Sequence, residues 1–425
     1  MKTEIKKIIY PGLSLSNIKQ KTILTDEGLP GEIVSLKPIK DNKSHILAQT
    51  TEILKTSPNR IEPKCSHYKI CSKYQYIDYP QQLNIKQEQF INLLNKALLF
   101  DISSLLKIRP AQKIWGYRNK IHLKVIWKNN LPQIAYNLVN KSDQFLGIDH
   151  CYLVSEQLNE IARKILEIAE REKIYDLEEL ILRENSQSDQ VVIALLYKNL
   201  KLQKGLTKDF HKLISKFPIT GITFINKKTK RRFRYKNTLI KEKIHKTSLF
   251  FSTDTFFQIN ISMINKVIND ILENTSLDKT KIIADLYSGT GTFGIILSRI
   301  ASKVIAIEKE KDNLEILRKN IQENNINNLL IITGDVKDNI NKLFKESPEI
   351  IIIDPPRRGI NQEITRKLSQ KGPEYLLYIS CNPQTLARDL KILNKNYSLE
   401  KVFVYDFFPH TPHIESLTIL KRRIK

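Results

Sequence analysis

From Phe251 onward, short apolar runs alternate with stretches of helical period, and nothing else in the chain constrains its fold as tightly. Strands read at 281–287, 303–308, 329–333, 350–354, 375–379, 399–405 and 416–420. Helical runs separate the first six, and the last two strands follow each other without one. This alternation predicts an α/β fold with a mostly parallel seven-stranded sheet, ending in an antiparallel hairpin. Ligands of such sheets bind outside the carboxyl ends of the strands. Polar residues just past those ends are therefore the first candidates for function.

Four strand ends carry them. The first strand runs into Asp285-Leu286-Tyr287-Ser288-Gly289-Thr290-Gly291-Thr292-Phe293-Gly294, a G-x-G-x-x-G turn before a helix. Glycines let a ligand approach the backbone, and Glu308, at the end of the next strand, is placed to bind a ribose hydroxyl. A dinucleotide and S-adenosylmethionine both fit this much. Asp285 beside the loop would repel a pyrophosphate but could hold an ammonium group, which favours the methyl donor. The fourth strand ends in Asp354-Pro355-Pro356-Arg357-Arg358-Gly359, where two prolines stiffen the loop and fix Asp354 at the same edge. The fifth ends at Cys381, and Asn382-Pro383 then opens a helix whose N-terminal partial charge favours a thiolate. By itself Cys381 also reads as inert packing. The segment Phe408-Pro409-His410-Thr411-Pro412-His413-Ile414-Glu415 precedes the last strand; a desolvated Glu415 can act as a general base, although alone it reads as an ordinary charged residue. Upstream, Gln258 in Phe256-Phe257-Gln258-Ile259-Asn260 offers an amide to a cofactor or base.

Before residue 251 the pattern changes. Residues 1–57 read as short strands around Gly28-Leu29-Pro30-Gly31, suggesting a five-stranded barrel of oligonucleotide-binding type. Residues 58–250 read as an α+β domain, with helices over 87–106 and 155–172 and strands at 122–127 and 191–196. Residues 251–425 form the α/β domain. The formal charge is +24, from 69 Lys and Arg against 45 Asp and Glu. That imbalance predicts a polyanionic partner, most simply nucleic acid. The run 227–236 interleaves Phe233 and Tyr235 with seven cations, a composition that suits stacked bases and phosphates and equally a guarded edge strand. No apolar run reaches membrane-span length and no signal peptide is evident, so a cytoplasmic location is expected. Four cysteines are too few for a disulfide scaffold.

Taken together, FFQIN (256–260), DLYSGTGTFG (285–294), IIIDPPRRG (351–359), YISCNPQTLARDL (378–390) and PHTPHIES (409–416) resemble the RNA uracil-C5 methyltransferase family. GLPGE (28–32), SPNR (57–60) and WGYRNK (115–120) extend the resemblance over nearly the whole chain. It implies a Rossmann-like class I methyltransferase domain, an N-terminal TRAM RNA-binding β-barrel and a monomer. It implies Cys381 as the nucleophile that adds to uracil C6, and Glu415 as the base that removes the C5 proton. It implies S-adenosylmethionine as cofactor, held by Gln258, Tyr287, Glu308 and Asp354. The TRAM unit points to 23S rRNA as the partner, with the tRNA T-loop uridine as the alternative.

One departure stands out. TRAM-bearing members often hold a 4Fe–4S cluster on C-x5-C-x2-C plus a distant Cys. Here Cys65 and Cys71 keep the first spacing and Cys151 matches the distant ligand, but Tyr74 occupies the third position. Four thiolates are the usual set, so the expectation is that no cluster binds.

Overall fold

A computed structural model describes residues 1–18, 20–138, 141–199 and 206–423. Its largest sheet has eight strands in the order Leu329–Thr333, Lys303–Glu308, Ile282–Leu286, Ile350–Ile353, Tyr375–Ser380, Glu415–Arg422, Tyr397–Tyr405 and Leu106–Arg109. The first five are mutually parallel. Parallel neighbours need a crossover, and the helices Thr292–Ser298, Lys311–Glu323 and Gln362–Lys371 supply it. Because helices cover both faces, alternate residues of one strand feed two separate cores. Ile350 and Ile352 join Ile283 and Leu377 on one side. Ile351 and Ile353 join Ala284 and Leu376 on the other.

The expected seven strands are all present, and an eighth comes from far upstream. Leu106–Arg109 pairs in parallel with Tyr397–Tyr405 and covers what would be the sheet's open edge. The helix expected over 87–106 instead spans Tyr79–Leu98. It starts early because Asp78 caps it, accepting from the Gln81 amide at 3.1 Å, with Pro80 in the first turn. It stops at Leu99, which takes the left-handed conformation at φ 63°. Phe90, Leu94 and Leu98 of this helix enter the second of these cores beside Leu386 and Leu390. Residues 79–109 thus pack with the α/β sheet, although their pattern groups them with the segment 58–250.

The other sheets lie upstream. Residues 2–55 form a six-stranded, mostly antiparallel sheet, one strand more than the pattern predicts. A seven-stranded sheet between Lys120 and Lys236 forms the central region, backed by the helices Glu156–Arg171 and Leu206–Lys216. A two-stranded hairpin, Ile240–Ile244 with Thr247–Phe251, leads into the α/β region. Among the described residues, no helix is long and apolar enough to cross a membrane.

Strand order places the site. Ile282–Leu286 comes first in the chain among the parallel strands yet sits inside the sheet, between Lys303–Glu308 and Ile350–Ile353. The chain runs outward from it through Lys303–Glu308 to Leu329–Thr333 and then crosses back to Ile350–Ile353 on its other side, and a crevice opens where the order reverses. Glu415–Arg422 runs antiparallel to Tyr375–Ser380, with Ser416 opposite Ser380. Its beginning therefore lies where its neighbour ends, which brings Glu415 to the edge that carries Cys381.

Candidate active site

A cavity of about 660 Å³ occupies that crevice. Gln258, Tyr287, Glu308, Asp354, Cys381 and Glu415 all line it, although the sequence scatters them from position 258 to position 415. Arg357, Phe256, Phe408 and His413 also line it.

The glycine turn forms the floor. Tyr287, Gly289 and Gly291 all have positive φ, at 62°, 56° and 89°. A Cβ added at Gly289 would meet nothing within 4 Å, so the space above its backbone is open. Glu308 steadies the turn: its Oε2 accepts from the Gly289 amide at 2.7 Å, and its Oε1 accepts from the Lys309 and Glu310 amides at 2.8 and 2.7 Å. A carboxylate has about four acceptor positions, so one remains for a hydroxyl in the cavity. An adenosine ribose fits that vacancy, and the open backbone of Gly289 fits close approach by the rest of S-adenosylmethionine.

Asp285 behaves differently from its expected part. It is 1% exposed and does not line the cavity. Its Oδ2 accepts from the Gly294 amide at 2.8 Å, Oδ1 is buried without a partner, and burial pushes its pKa up to about 7. It therefore braces the turn from beneath, and the direct ammonium contact expected for it is not built.

At the other end, Cys381 lies between charges. Its thiol is pushed up to about 12, by burial first, then by Glu415 and Asp354; Arg357 pulls the other way. The lowered thiol expected from the helix N-terminus is overturned. A helix end contributes a partial charge, whereas two carboxylates and desolvation act together against the thiolate. Glu415 is 4% exposed and pushed well above the ordinary carboxylate range, by burial and by Asp354. Asp354 is raised too, by burial. Two buried carboxyls facing each other cannot both ionise cheaply, so the pair tends to keep a proton. His413 stays neutral, held down to about 4 by burial and by Arg357.

Two contributions to the site escape sequence reasoning. Tyr10, from the N-terminal sheet region, has its phenol raised by burial first and then by the nearby Cys381 and Glu415, with Arg357 pulling the other way. The neighbouring Gly12, at φ 93°, packs so tightly that an added Cβ would lie 2.9 Å from Pro412 Cβ. No local signal marks a turn some 400 residues from its partner. The second, Arg183, clamps the loop that carries Gln258. Its place directly after the apolar run Leu180 to Leu182 is the one available sign.

The three remaining cysteines share a separate region. Gln75 Nε2 donates to Cys65 Sγ at 3.1 Å, Cys71 Sγ lies 3.4 Å from Ser72 Oγ, and Tyr136 donates to Cys151 Sγ at 3.7 Å. Burial raises the Cys65 and Cys71 thiols, and each is raised further by the nearby Cys151. Tyr74 is 1% exposed and packs among Ile8, Leu29 and Ile85, with Gln89 Nε2 donating to its hydroxyl at 3.0 Å. Among the described residues, no group of three or more His, Cys, Asp or Glu is arranged to hold a metal ion. These residues do not fit a four-thiolate cluster.

The family model described as tRNA (Uracil-5-)-methyltransferase matches residues 78–423. The chain belongs to that family. It is an RNA (uracil-5-)-methyltransferase. An uncharacterized RNA methyltransferase of Fusobacterium nucleatum is 29% identical over 99% of this chain and 95% of its own length. One from Clostridium acetobutylicum is 28% identical over 97% and 94%. Among solved structures, the tRNA (uracil-54, C5)-methyltransferase of Pyrococcus abyssi, in complex with S-adenosyl-L-homocysteine, matches with a TM-score of 0.78. The match is 24% identical and covers 99% of this chain and 100% of that one, so the Rossmann-like methyltransferase fold is shared from end to end.

Proposed function

We propose that the chain methylates C5 of a uridine in RNA through a covalent bond between Cys381 and uracil C6. One observation carries this reading: a thiol, two carboxyls and the glycine turn with Glu308 share a single cavity. Uracil C5 is too weak a nucleophile to take a methyl group unaided. Cys381 sulfur adds to C6, and the ring's double-bond electrons move to C5 and O4. The step starts from the state in which both carboxyls are ionised: the thiol proton passes to Asp354, whose raised proton affinity suits it to accept, and Glu415 stays ionised for the later step. When bound, S-adenosylmethionine supplies a methyl group on a sulfonium sulfur, within reach of the activated C5. Glu415 then removes the C5 proton, the electrons return to the ring, and the C6–S bond breaks. Cys381 recovers its proton from Asp354, and one proton is released overall. Gln258, Tyr287, Glu308 and Asp354 hold the cofactor in this reading, with Asp354 lying between the donor and the target base. The uridine must leave its stack to reach a half-buried thiol, so base flipping is part of it.

The N-terminal β-rich unit, read as a TRAM domain over 1–57, favours 23S rRNA as substrate. The second reading, a tRNA uridine, has its own support: the archaeal neighbour covered over its full length is named for tRNA uracil-54. A β-rich N-terminal unit therefore does not by itself separate the two. The central region, with Lys228, Lys230, Arg231 and Phe233 exposed around an edge strand, contributes to RNA contact. A monomer acting in the cytoplasm completes the proposal. Incubating the protein with labelled methyl donor and unmodified rRNA or tRNA, then mapping the product, tests it. Label at uracil C5 in one RNA is expected; label on another base or atom overturns the mechanism.

A further inference from the structure

Arg183 is a cation buried without a counter-ion. It sits on the strand Leu177–Glu184 of the central sheet and is 0% exposed. Among the described residues, no carboxylate pairs with it, and desolvation alone pulls it down to about 9. A methionine or leucine would fill such a space at less cost. What the guanidinium reaches explains its presence.

The loop 252–259 links the strand Thr247–Phe251 to the helix Ile261–Asn274 and forms one wall of the cavity. It lies outside regular structure, so its carbonyls need donors from elsewhere. Arg183 Nη1 donates to the Ser252 and Thr255 carbonyls, both at 3.0 Å, and Nη2 donates to the Phe257 carbonyl at 2.6 Å. Lys120 Nζ donates to the Thr253 carbonyl at 3.2 Å. Asn119 donates through Nδ2 to the Gln258 carbonyl at 3.1 Å, and through its amide to the Ile259 carbonyl at 3.0 Å. The Phe251 and Phe257 rings stack at 4.2 Å, and the guanidinium carbon lies 4.5 and 5.6 Å from their centres. The carbonyls of the loop are thus tied to the central region, while Phe256, 63% exposed, and Gln258 line the cavity.

We propose that Arg183 is a positioning residue: from the central region it fixes the loop 252–259 so that Phe256 and Gln258 present a preformed wall to the cofactor. The inference rests on the reading above that Gln258 contacts S-adenosylmethionine. The planar fork is essential, because three carbonyls are met from one rigid group and a lysine offers a single point charge.

The test uses the full chain with Arg183→Met, Arg183→Lys and Asn119→Ala. S-adenosylhomocysteine affinity is measured by calorimetry, RNA affinity by filter binding, and amide exchange over 252–259 by mass spectrometry without ligand. Arg183→Met is expected to weaken S-adenosylhomocysteine about tenfold or more and to speed exchange in the loop, with RNA affinity held within about threefold. Arg183→Lys should fall between it and the unaltered protein. Should Arg183→Met fail to fold, Asn119→Ala, which removes one bond to the Gln258 carbonyl, should still weaken the cofactor analogue about threefold with the same loop signature. Unchanged cofactor affinity and loop exchange in the variants that fold would overturn the proposal. So would an equal loss of both affinities, which would mark Arg183 as merely structural. If the unaltered protein itself failed to bind S-adenosylhomocysteine, the functional reading would fall instead, so the two failures are distinguishable.

Discussion

Cys381 and the trio Cys65, Cys71 and Cys151 are the same side chain in two settings. Burial raises the thiol in the first setting, and it raises Cys65 and Cys71 in the second. What separates them is what surrounds the sulfur. Cys381 opens onto a cavity and faces two carboxyls that can accept its proton, with Arg357 nearby to favour the anion. The trio is held by the neutral hydrogen-bonding groups Gln75, Ser72 and Tyr136, with Arg118 lowering the Cys71 thiol in part, and it does not line the cavity that Cys381 opens onto. The reactivity proposed for Cys381 rests on those neighbours and on access rather than on a lowered resting pKa.

The sharpest test of that contrast is deletion on each side. Cys381→Ala should cost on the order of 10⁴-fold or more in methylation while RNA affinity is retained. Changing Cys65, Cys71 and Cys151 together to serine should leave turnover within about threefold, because no thiol of the trio touches the reaction. Anaerobically purified protein should carry no stoichiometric iron or acid-labile sulfide; a full complement of both would erase the distinction between the two settings.

Next in size is Glu415→Gln. Losing the base should slow product release by roughly 10²- to 10⁴-fold. In the proposed mechanism addition precedes proton removal, so the protein should accumulate joined to RNA, visible as a slow band on a denaturing gel. Absence of that band, with activity lost, would remove Glu415 from its assigned step.

The smallest effect concerns proton affinity. Raised to about 12, the Cys381 thiol is mostly protonated below that pH, so its thiolate fraction grows tenfold per pH unit. Iodoacetamide labelling of Cys381, read by peptide mass spectrometry from pH 7 to 10, should climb without levelling. An ordinary exposed thiol would level off above about 8.5. Asp354→Asn removes a negative neighbour and lowers the pKa, so labelling at pH 8 should rise, by roughly three- to tenfold. Slower labelling in that variant would reverse the sign of the argument.

The α/β sheet was legible because strands covered on both faces become uninterrupted apolar runs, as in Ile350 to Ile353. Its strand ends were legible too, since glycines, prolines and acids follow each run directly. Leu106–Arg109 was not. Two of its four residues are charged, and its partner lies almost 300 positions away. The end of the Tyr79–Leu98 helix was hidden because Leu99, rather than a glycine, takes the left-handed turn. The direction of the Cys381 shift needed the carboxyls of Asp354 and Glu415, which only folding brings beside it. Arg183 and Tyr10 fall in the same class, since their meaning lies wholly in distant partners.

The strand Leu106–Arg109 joins the large sheet before the chain departs to build the central region, and the chain comes back to that sheet at Ile282. The central region is therefore a handle fastened at both ends to one body, so a single proteolytic nick inside it should leave the halves associated. A fragment cut at 251 would lack the covering strand. It would expose the backbone of Val402 to Tyr405 as a sticky border, and such a piece is prone to self-association.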